Sequence, residues 1–411
     1  MIFIYNLVIQ LYVFGIRLSA VFGNEKAKFW IEGRRNWRDA IRKSLKPGEK
    51  RFWFHCSSLG EFEQGRPVME MLKTRHPEFK IVLTFFSPSG YEVRKNYSGA
   101  DYIFYMPSDT KANASDFISL ISPEKVFFTK YEYWHHYFHQ LKQKEIPLYM
   151  VSAIFRPTDR FFKWYGRFFR DMLKCVTHFF VQEKKSQVLL NEAGFTNTTV
   201  AGDTRFDRVV ELSKQSKEIP IAKTFSSGKN VLVAGSTWAA DEKILAEVLQ
   251  SFQGNLKLII APHEINDGRI NEVQQTFQNY KVARFSTAEN DGTDLADVLV
   301  IDNIGLLSSL YRYGACAWIG GGFGKGIHNT LEAAVYGIPL FFGTNYQKFN
   351  EARELIECGA AWTVPDKRSL KNHLENILGN EAARKRAGEA AFHYVHSHSG
   401  ATGVILNQLS L

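Results

Sequence analysis

Cysteine is scarce in this chain. Cys56, Cys175, Cys316 and Cys358 are the only four, and no two form a C-x-x-C pair. That pattern argues against a disulfide scaffold and against a cysteine-held zinc site. The four read as small core residues in a reducing compartment. A metal constellation is also missing. His135 and His139 stand four apart at helical spacing, but no third ligand lies near them in sequence. The chain has no internal repeat and no low-complexity tract, which sets aside solenoid and disordered classes. The P-loop pattern G-x-x-x-x-G-K-[ST] does not occur, so a P-loop ATPase is disfavoured.

Nor does the beginning of the chain read as a secretory signal. Residues 1–23, MIFIYNLVIQLYVFGIRLSAVFG, have no basic residues ahead of the apolar run and no small-residue cleavage site. Arg17 is the only charged side chain in that stretch. A spanning helix needs about 20 mainly apolar residues, so the length just suffices. Asn6, Gln10, Arg17 and Asn24 fall near one line at helical spacing, which favours a helix lying in an interface or packed on the protein. Residues 25–51 then hold ten Lys or Arg against four Asp or Glu. A basic segment after an apolar helix suits the cytoplasmic face of a membrane with anionic lipid. The ordinary alternative is a core helix followed by a solvated basic linker. No later run is comparably apolar, so the remainder is expected to be soluble and cytoplasmic.

What the chain does have is enough apolar material for two cores. Its 411 residues are 45% hydrophobic and 23% charged, with a net charge of +9. Taken alone, such a charge points to an anionic partner (nucleic acid, phospholipid or a phosphorylated substrate) or simply to solubility. Short β-rich apolar runs at 51–56, 80–85, 102–105, 125–128, 148–153, 178–181 and 199–201 alternate with segments of helical length. Residues 208–229 are polar and weakly periodic, and read as a linker. The alternation resumes at 230–234, 256–261, 298–301, 315–319 and 339–342. These patterns predict an α/β chain in five parts: an anchor helix at 1–24, a first Rossmann-like domain at 25–207, the linker, a second Rossmann-like domain at 230–380, and C-terminal helices at 381–411 packing back on the first domain. Two such domains with a deep interdomain cleft are the GT-B build, in which ligands sit at the carboxyl ends of strands. Some epimerases share it, so architecture alone does not decide function.

Four motifs carry the chemistry. HCSSLGEFEQG, from His55 to Gly65, reads as strand, turn and helix. Gly60 permits a tight turn or a ligand's close approach, and Glu61 at the helix start can take a proton from an attacking hydroxyl. The ordinary reading of Glu61 is a first-turn carboxylate matched to the helix dipole, with Ser57 or Ser58 as cap. Glu63 is a weaker candidate base. WIGGGFGKGIHNTLEAAVYGIPLFFG, from Trp318 to Gly343, is a strand, a glycine-rich loop and a helix near His328. Gly321, Gly322, Gly324 and Gly326 would let backbone N–H groups cradle a phosphate, while Asn329 and Glu332 share a helix face and Glu332 could bind ribose hydroxyls. VLVAGSTWAADE is a further strand–turn–helix, with Ser236 and Thr237 as phosphate donors or as simple caps. In RPTDRFFKWYGRFFRDMLK, at 156–174, Arg160, Lys163, Arg167, Arg170 and Lys174 recur at helical spacing among aromatics. That suggests one rigid basic-aromatic helix facing a phosphorylated lipid, or an amphipathic helix covering its own core.

These residues closely resemble the 3-deoxy-D-manno-octulosonic acid (Kdo) transferases over nearly the whole chain. HCSSLGE is similar to the family's H-x-x-S-x-G-E, whose glutamate is the proposed general base. KYEYW resembles K-x-E-x-W, through Lys130, Glu132 and Trp134. SAIFRP resembles the S-A-R-F-type segment, through Ser152 and Arg156, and GDTRFDR resembles G-N-x-K-F-D, through Asp203, Arg205 and Asp207. FFSPSGYEVR and YMPSD also match family phrases. GSTW is similar to G-S-T-H, and GIHNTLEAA to G-G-H-N-x-L-E-P-A. Some positions depart from the family: APHEIN stands for P-R-H-P-E-R, so no basic residue precedes His263; Ile327 replaces a glycine; Ala333 replaces a proline.

The resemblance implies an inverting, metal-independent glycosyltransferase of lipopolysaccharide synthesis. Its donor would be CMP-Kdo and its acceptor a lipid A precursor of the lipid IVA type, with no nucleic acid partner and no cofactor. The expected location is the cytoplasmic face of the inner membrane, attached through the N-terminal helix. Glu61 would be the base. Ser236, Thr237, Pro262, His263, Gly321, Gly322, Gly324, Gly326, His328, Asn329 and Glu332 would hold the donor. Ser58, Gly60, Lys130, Glu132, Arg156 and Arg205 would line the acceptor side. Two other readings are a GT-B enzyme using a UDP-sugar on a lipid acceptor, and a non-catalytic membrane-bound nucleotide-binding module.

Overall fold

A computed structural model describes residues 1–252, 255–288 and 293–409. The chain divides into two units. The first comprises residues 1–208 and 399–411, and the second residues 209–398.

Unit 1 is built on seven strands, β1 (Lys50–Cys56), β2 (Phe79–Phe85), β3 (Tyr102–Tyr105), β4 (Lys125–Thr129), β5 (Leu148–Ala153), β6 (His178–Val181) and β7 (Thr198–Val200). They form one parallel sheet in the order β3-β2-β1-β4-β5-β6-β7. Alternation along each strand feeds two cores. Trp53, Val82, Val126, Phe128 and Met150 belong to one layer, with Trp30, Phe117 and Tyr137. Phe52, Phe54, Ile81, Leu83, Phe127 and Val151 belong to the other, with Phe62, Val68 and Leu72 of the helix Leu59–Arg75. The helix Ala401–Gln408 adds Ile405 and Leu406 to this second layer. Burial on both faces explains why the strands read as unbroken apolar runs.

Unit 2 repeats the plan with β8 (Asn230–Thr237), β9 (Leu256–Pro262), β10 (Val282–Arg284), β11 (Val298–Val300), β12 (Cys316–Ile319), β13 (Leu340–Phe342) and β14 (Ala361–Thr363). Its parallel order is β10-β11-β9-β8-β12-β13-β14. Twelve of the fourteen strands match the runs read from the sequence. The two outer strands, β10 and β14, do not. Each is three residues long and partly exposed at a sheet edge, so neither carries a buried apolar signature.

Several expectations are corrected. Residues 208–229 are not an unstructured linker. They complete the helix Thr204–Gln215 and form the helix Pro220–Ser226, which buries Ala222 and Phe225. The polarity of the segment hid these two apolar anchors. Residues 381–398 stay in unit 2, and only 399–411 return to unit 1. The 156–174 run is not one helix. It is a short turn at Arg160–Phe162 and a separate helix Arg167–Leu173. At Gly166 a Cβ would lie 2.2 Å from the Arg160 carbonyl oxygen, so the chain turns tightly there. Arg170 donates to the Phe161 and Lys163 carbonyls and thereby closes that turn. Cys56, Cys175 and Cys316 are buried as expected, but Cys358 is exposed.

The N-terminal helix Ile2–Val21 is the one described helix long and apolar enough to cross a bilayer. One stripe of it is fastened to unit 1. Tyr5 Oη donates to Asp109 Oδ2 at 2.5 Å, and Asn6 Oδ1 lies 2.7 Å from His136 Nε2. Val13 and Ile16 pack against the first core layer. Phe3, Leu7, Leu11, Phe14 and Val21 are exposed. The proposed polar stripe therefore divides: Asn6 faces inward, Arg17 is exposed, and Asn24 caps the next helix through Ala27 N.

Candidate active site

In unit 1 the named residues gather at the carboxyl ends of β1, β4 and β5. β1 and β4 are the neighbours at which the strand order reverses, the position where open α/β sheets leave room for ligands. Glu61 is the third residue of the helix Leu59–Arg75. Its Oε2 accepts from Ser58 N at 2.9 Å and lies 3.3 Å from Ser58 Oγ. The capping role of Glu61 is therefore real. Its Oε1 has no hydrogen bond among the described residues. Burial is the larger cause that pushes the Glu61 carboxyl up to about 7, and the charge of Glu132 adds to it; the Ser58 bonds and Lys130 pull the other way. One oxygen holds the helix end while the group titrates near neutrality, where a proton acceptor is most useful.

Glu132 follows β4 in sequence. Its Oε2 accepts from Trp134 Nε1 at 2.8 Å and lies 3.5 Å from Nε2 of the fully buried His55. His55 Nδ1 is 2.9 Å from Thr84 Oγ1. Lys130 is held at a left-handed φ of 67°, with its ammonium 5.0 Å from the Tyr131 ring centroid. The Arg156 guanidinium is 5.8 Å from the same ring. Burial raises the Tyr131 hydroxyl, Arg156 opposes that shift, and Glu61 and Arg205 are near enough to act on it. Glu61, Lys130, Tyr131, Glu132, Arg156 and Arg205 thus form one neighbourhood. Arg205 is paired with Asp203 at 2.7 Å, and Asp203 also accepts from Gln64 Nε2 at 3.2 Å.

Two expectations fail here. Glu63 is not a spare base, because Arg94 donates to it at 2.8 Å and Arg66 lies at 3.7 Å. Gly60 makes no tight turn. It lies inside the helix, and a Cβ there would meet nothing within 4 Å.

In unit 2 the turn after β8 and the loop after β12 lie against each other. Ser236 takes a left-handed φ of 53°. A Cβ at Gly320 would sit 2.2 Å from the Ser236 carbonyl oxygen, and one at Gly322 would sit 2.5 Å from Gly343 N. Gly321 and Gly326 have φ of 91° and 132°. Here glycine is a steric requirement. Asp241 fixes the arrangement from behind. It accepts from Trp238 N at 2.9 Å, Gly321 N at 3.0 Å and Trp318 Nε1 at 3.2 Å.

Pro262 is buried and His263 exposed, and His263 N donates to the Thr237 carbonyl. The His263 ring stacks on His328 with centroids 4.3 Å apart, and Trp238 lies 4.9 Å from His263. Burial, then His263, pulls His328 down to about 4. Asn329 Nδ2 donates to Glu332 Oε1 at 3.0 Å, while Gly324 is exposed.

One donor assignment and one helix start need correction. The Thr237 hydroxyl is buried and donates to Glu242 at 2.8 Å, so only its backbone is left for a ligand. The helix after the glycine loop begins at Leu331 and lasts one turn, so His328 stands in the loop itself. Among the described residues there is no group of three or more His, Cys, Asp or Glu placed to hold a metal. His139 Nδ1 bonds the His135 carbonyl of its own helix.

His55, Tyr131, Trp238 and Asp241 were not singled out as site residues from the sequence. Trp238 and Asp241 stand three apart at a helix start, a capping spacing that could have marked Asp241. The pairing of His55 with Glu132 depends on two strands brought together across the sheet, which no local pattern encodes.

Two parallel-sheet α/β units with ligand-facing strand ends are the build of GT-B glycosyltransferases and related epimerases. UDP-GlcNAc 2-epimerase from Neisseria meningitidis, solved bound to UDP-GlcNAc, has this fold. It aligns with a TM-score of 0.61 at 14% identity, over 87% of this chain and 98% of that one. Residues 32–208 match the family model described as 3-Deoxy-D-manno-octulosonic-acid transferase (kdotransferase). The similarity continues through unit 2. The 3-deoxy-D-manno-octulosonic acid transferase of Aquifex aeolicus is 26% identical over 344 residues, 82% of this chain and 88% of that protein. The one from Bordetella pertussis is 26% identical over 375 residues, 87% and 86% respectively.

Proposed function

We propose that this chain transfers Kdo from CMP-Kdo to a lipid A precursor, with inversion and without a metal. The observation that carries the reading is Glu61: a carboxyl at the β1 end, with one free oxygen and a titration near 7. In this reading Glu61 accepts the proton of the acceptor hydroxyl as that oxygen attacks the anomeric carbon. The bond from that carbon to the CMP phosphate breaks, and CMP leaves with the electron pair. Lys130 and Arg156 supply positive charge beside the base. In unit 2 the crowded glycine loop and the Ser236 turn offer backbone N–H groups to the phosphate, and no step calls for a bound ion. The relatives named above act on Kdo, and their similarity over both units supports the same donor here. The exposed apolar face of the helix Ile2–Val21, followed by the basic segment 25–51, supports attachment to the cytoplasmic face of a membrane bearing anionic lipid.

The test mixes purified protein with CMP-Kdo and a tetra-acylated lipid A precursor, with no added metal. Mass spectrometry then reads sugar on the lipid. Product with the wild type and none with Glu61→Ala is the expected result. No product from CMP-Kdo, with turnover of a UDP-sugar instead, would overturn the donor assignment. Equal product from the variant would overturn the base.

A further inference from the structure

Trp238 is where this chain has tryptophan in a motif whose family form ends in histidine. Its indole Nε1 is 3.2 Å from Nε2 of His328. An indole N–H can only donate, so Nε2 of His328 must accept and cannot carry a proton. A histidine that accepts at Nε2 is neutral and holds its proton on Nδ1. Nδ1 has no protein partner among the described residues and is not among the buried unpaired atoms, so solvent or a ligand reaches it.

The ring has little freedom to do otherwise. His263 stacks on it with an interplanar angle of 26°. On Gly321, an added Cβ would come within 3.0 Å of the His328 ring. The backbone N of His328 is bonded to the Gly320 carbonyl. Trp238 is itself fixed, through its backbone N–H to Asp241 and its ring against His263. His263 is the one titratable side chain that acts on His328, and it opposes protonation, as burial does.

We propose that Trp238 is a positioning residue that locks His328 as a neutral imidazole with its proton on Nδ1, ready to donate to an anionic oxygen of the nucleotide-sugar donor. The lock is a property of the free protein; the identity of the ligand rests on the function proposed above. The arrangement turns a residue that could accept, donate or carry charge into a fixed donor. It also compensates for the missing basic residue ahead of His263, since a fixed N–H can meet an anionic oxygen without a formal charge.

The test reads the tautomer directly. Protein labelled with ¹⁵N histidine gives two-bond ¹H–¹⁵N correlations that separate the Nδ1–H from the Nε2–H form, and His328→Gln assigns the signal. The expected wild-type pattern is Nδ1–H. Trp238→Phe keeps a ring and loses the donor, so His328 should move toward Nε2–H, and CMP should bind about three- to tenfold more weakly, the size of one lost hydrogen bond. Trp238→His, with a ring N–H restored, should recover most of both. A wild-type Nε2–H or charged pattern overturns the proposal, as does a Trp238→Phe protein whose tautomer and CMP affinity are unchanged. A wild type with the Nδ1–H pattern that fails to bind CMP sinks the nucleotide reading and leaves the Trp238 assignment standing.

Discussion

The strand ends of the two units use carboxylates in opposite ways. In unit 1, Glu61 and Glu132 stand in one neighbourhood with Lys130 and Arg156, and one of the two carboxyls is pushed to about 7. In unit 2, Asp241 is buried behind the loop, and both of its oxygens accept from N–H donors. In the function proposed above, a carboxylate serves proton transfer in one sheet and construction in the other. The difference lies in satisfaction: a carboxylate with every oxygen matched is inert, and one with an oxygen unmatched and a like charge nearby is poised to react.

Removing each carboxylate in turn should expose that contrast. Glu61→Ala should lower turnover of CMP-Kdo by about 10²–10⁴-fold, the range of a general base, while CMP titrations stay at the wild-type affinity. A parallel loss of CMP affinity would erase the distinction. Asp241→Ala should act the other way, through stability. It strands the N–H groups of Trp238, Gly321 and Trp318, at a cost on the order of 3 kcal/mol, and thermal unfolding should fall with CMP affinity. An unchanged melting temperature would show that the loop is held by something else.

The next expectation is smaller and depends on pH. The folded protein raises the Glu61 carboxyl, so the fold favours its protonated form. That contribution is complete below the ordinary value of 4.5 and is lost as pH rises through about 7. Glu61→Gln, which cannot ionise, should therefore melt with the wild type at pH 4 and roughly 2–4 °C above it at pH 8. Equal melting at both values would mean that Glu61 is not under electrostatic pressure. The smallest effect should come from Glu132→Gln. In the proposed mechanism turnover needs ionised Glu61, so it should rise with pH through that titration. Removing the like charge should move that rise to lower pH, read from the pH profile of kcat/KM. A shift to higher pH would contradict the assignment.

The strands were legible because burial on both sheet faces writes itself into the sequence as runs such as RFWFHC and LYMVSA. β10 and β14 were not, since edge strands bury little. Gly166 broke an apparently periodic helix, because spacing alone does not register a tight turn. In the site, Glu61 was legible from its own motif, and so was the glycine loop. Their controls were not. Glu132 raises Glu61 only because β1 and β4 are neighbours, although some 70 residues separate the two carboxyls in sequence. Asp241 reaches Gly321 across 80 positions. Thr237 looked like a free donor because its partner, Glu242, is hidden one helical turn further on.

Asp207 has a consequence of another kind. Its two carboxylate oxygens accept from Gly400 N at 2.5 Å, and from Thr402 N and Thr402 Oγ1 at 2.6 and 2.7 Å. Within unit 1 the chain thus leaves and re-enters at nearly the same place, stitched by one side chain. In genetic terms, unit 2 is an insert in the gene of unit 1. It could be cut out at residues 209 and 398 and the ends of unit 1 rejoined through a few flexible residues, leaving the Ala401–Gln408 helix on its own core. A truncation at 208 would instead strip that helix away and uncover the apolar face beneath it.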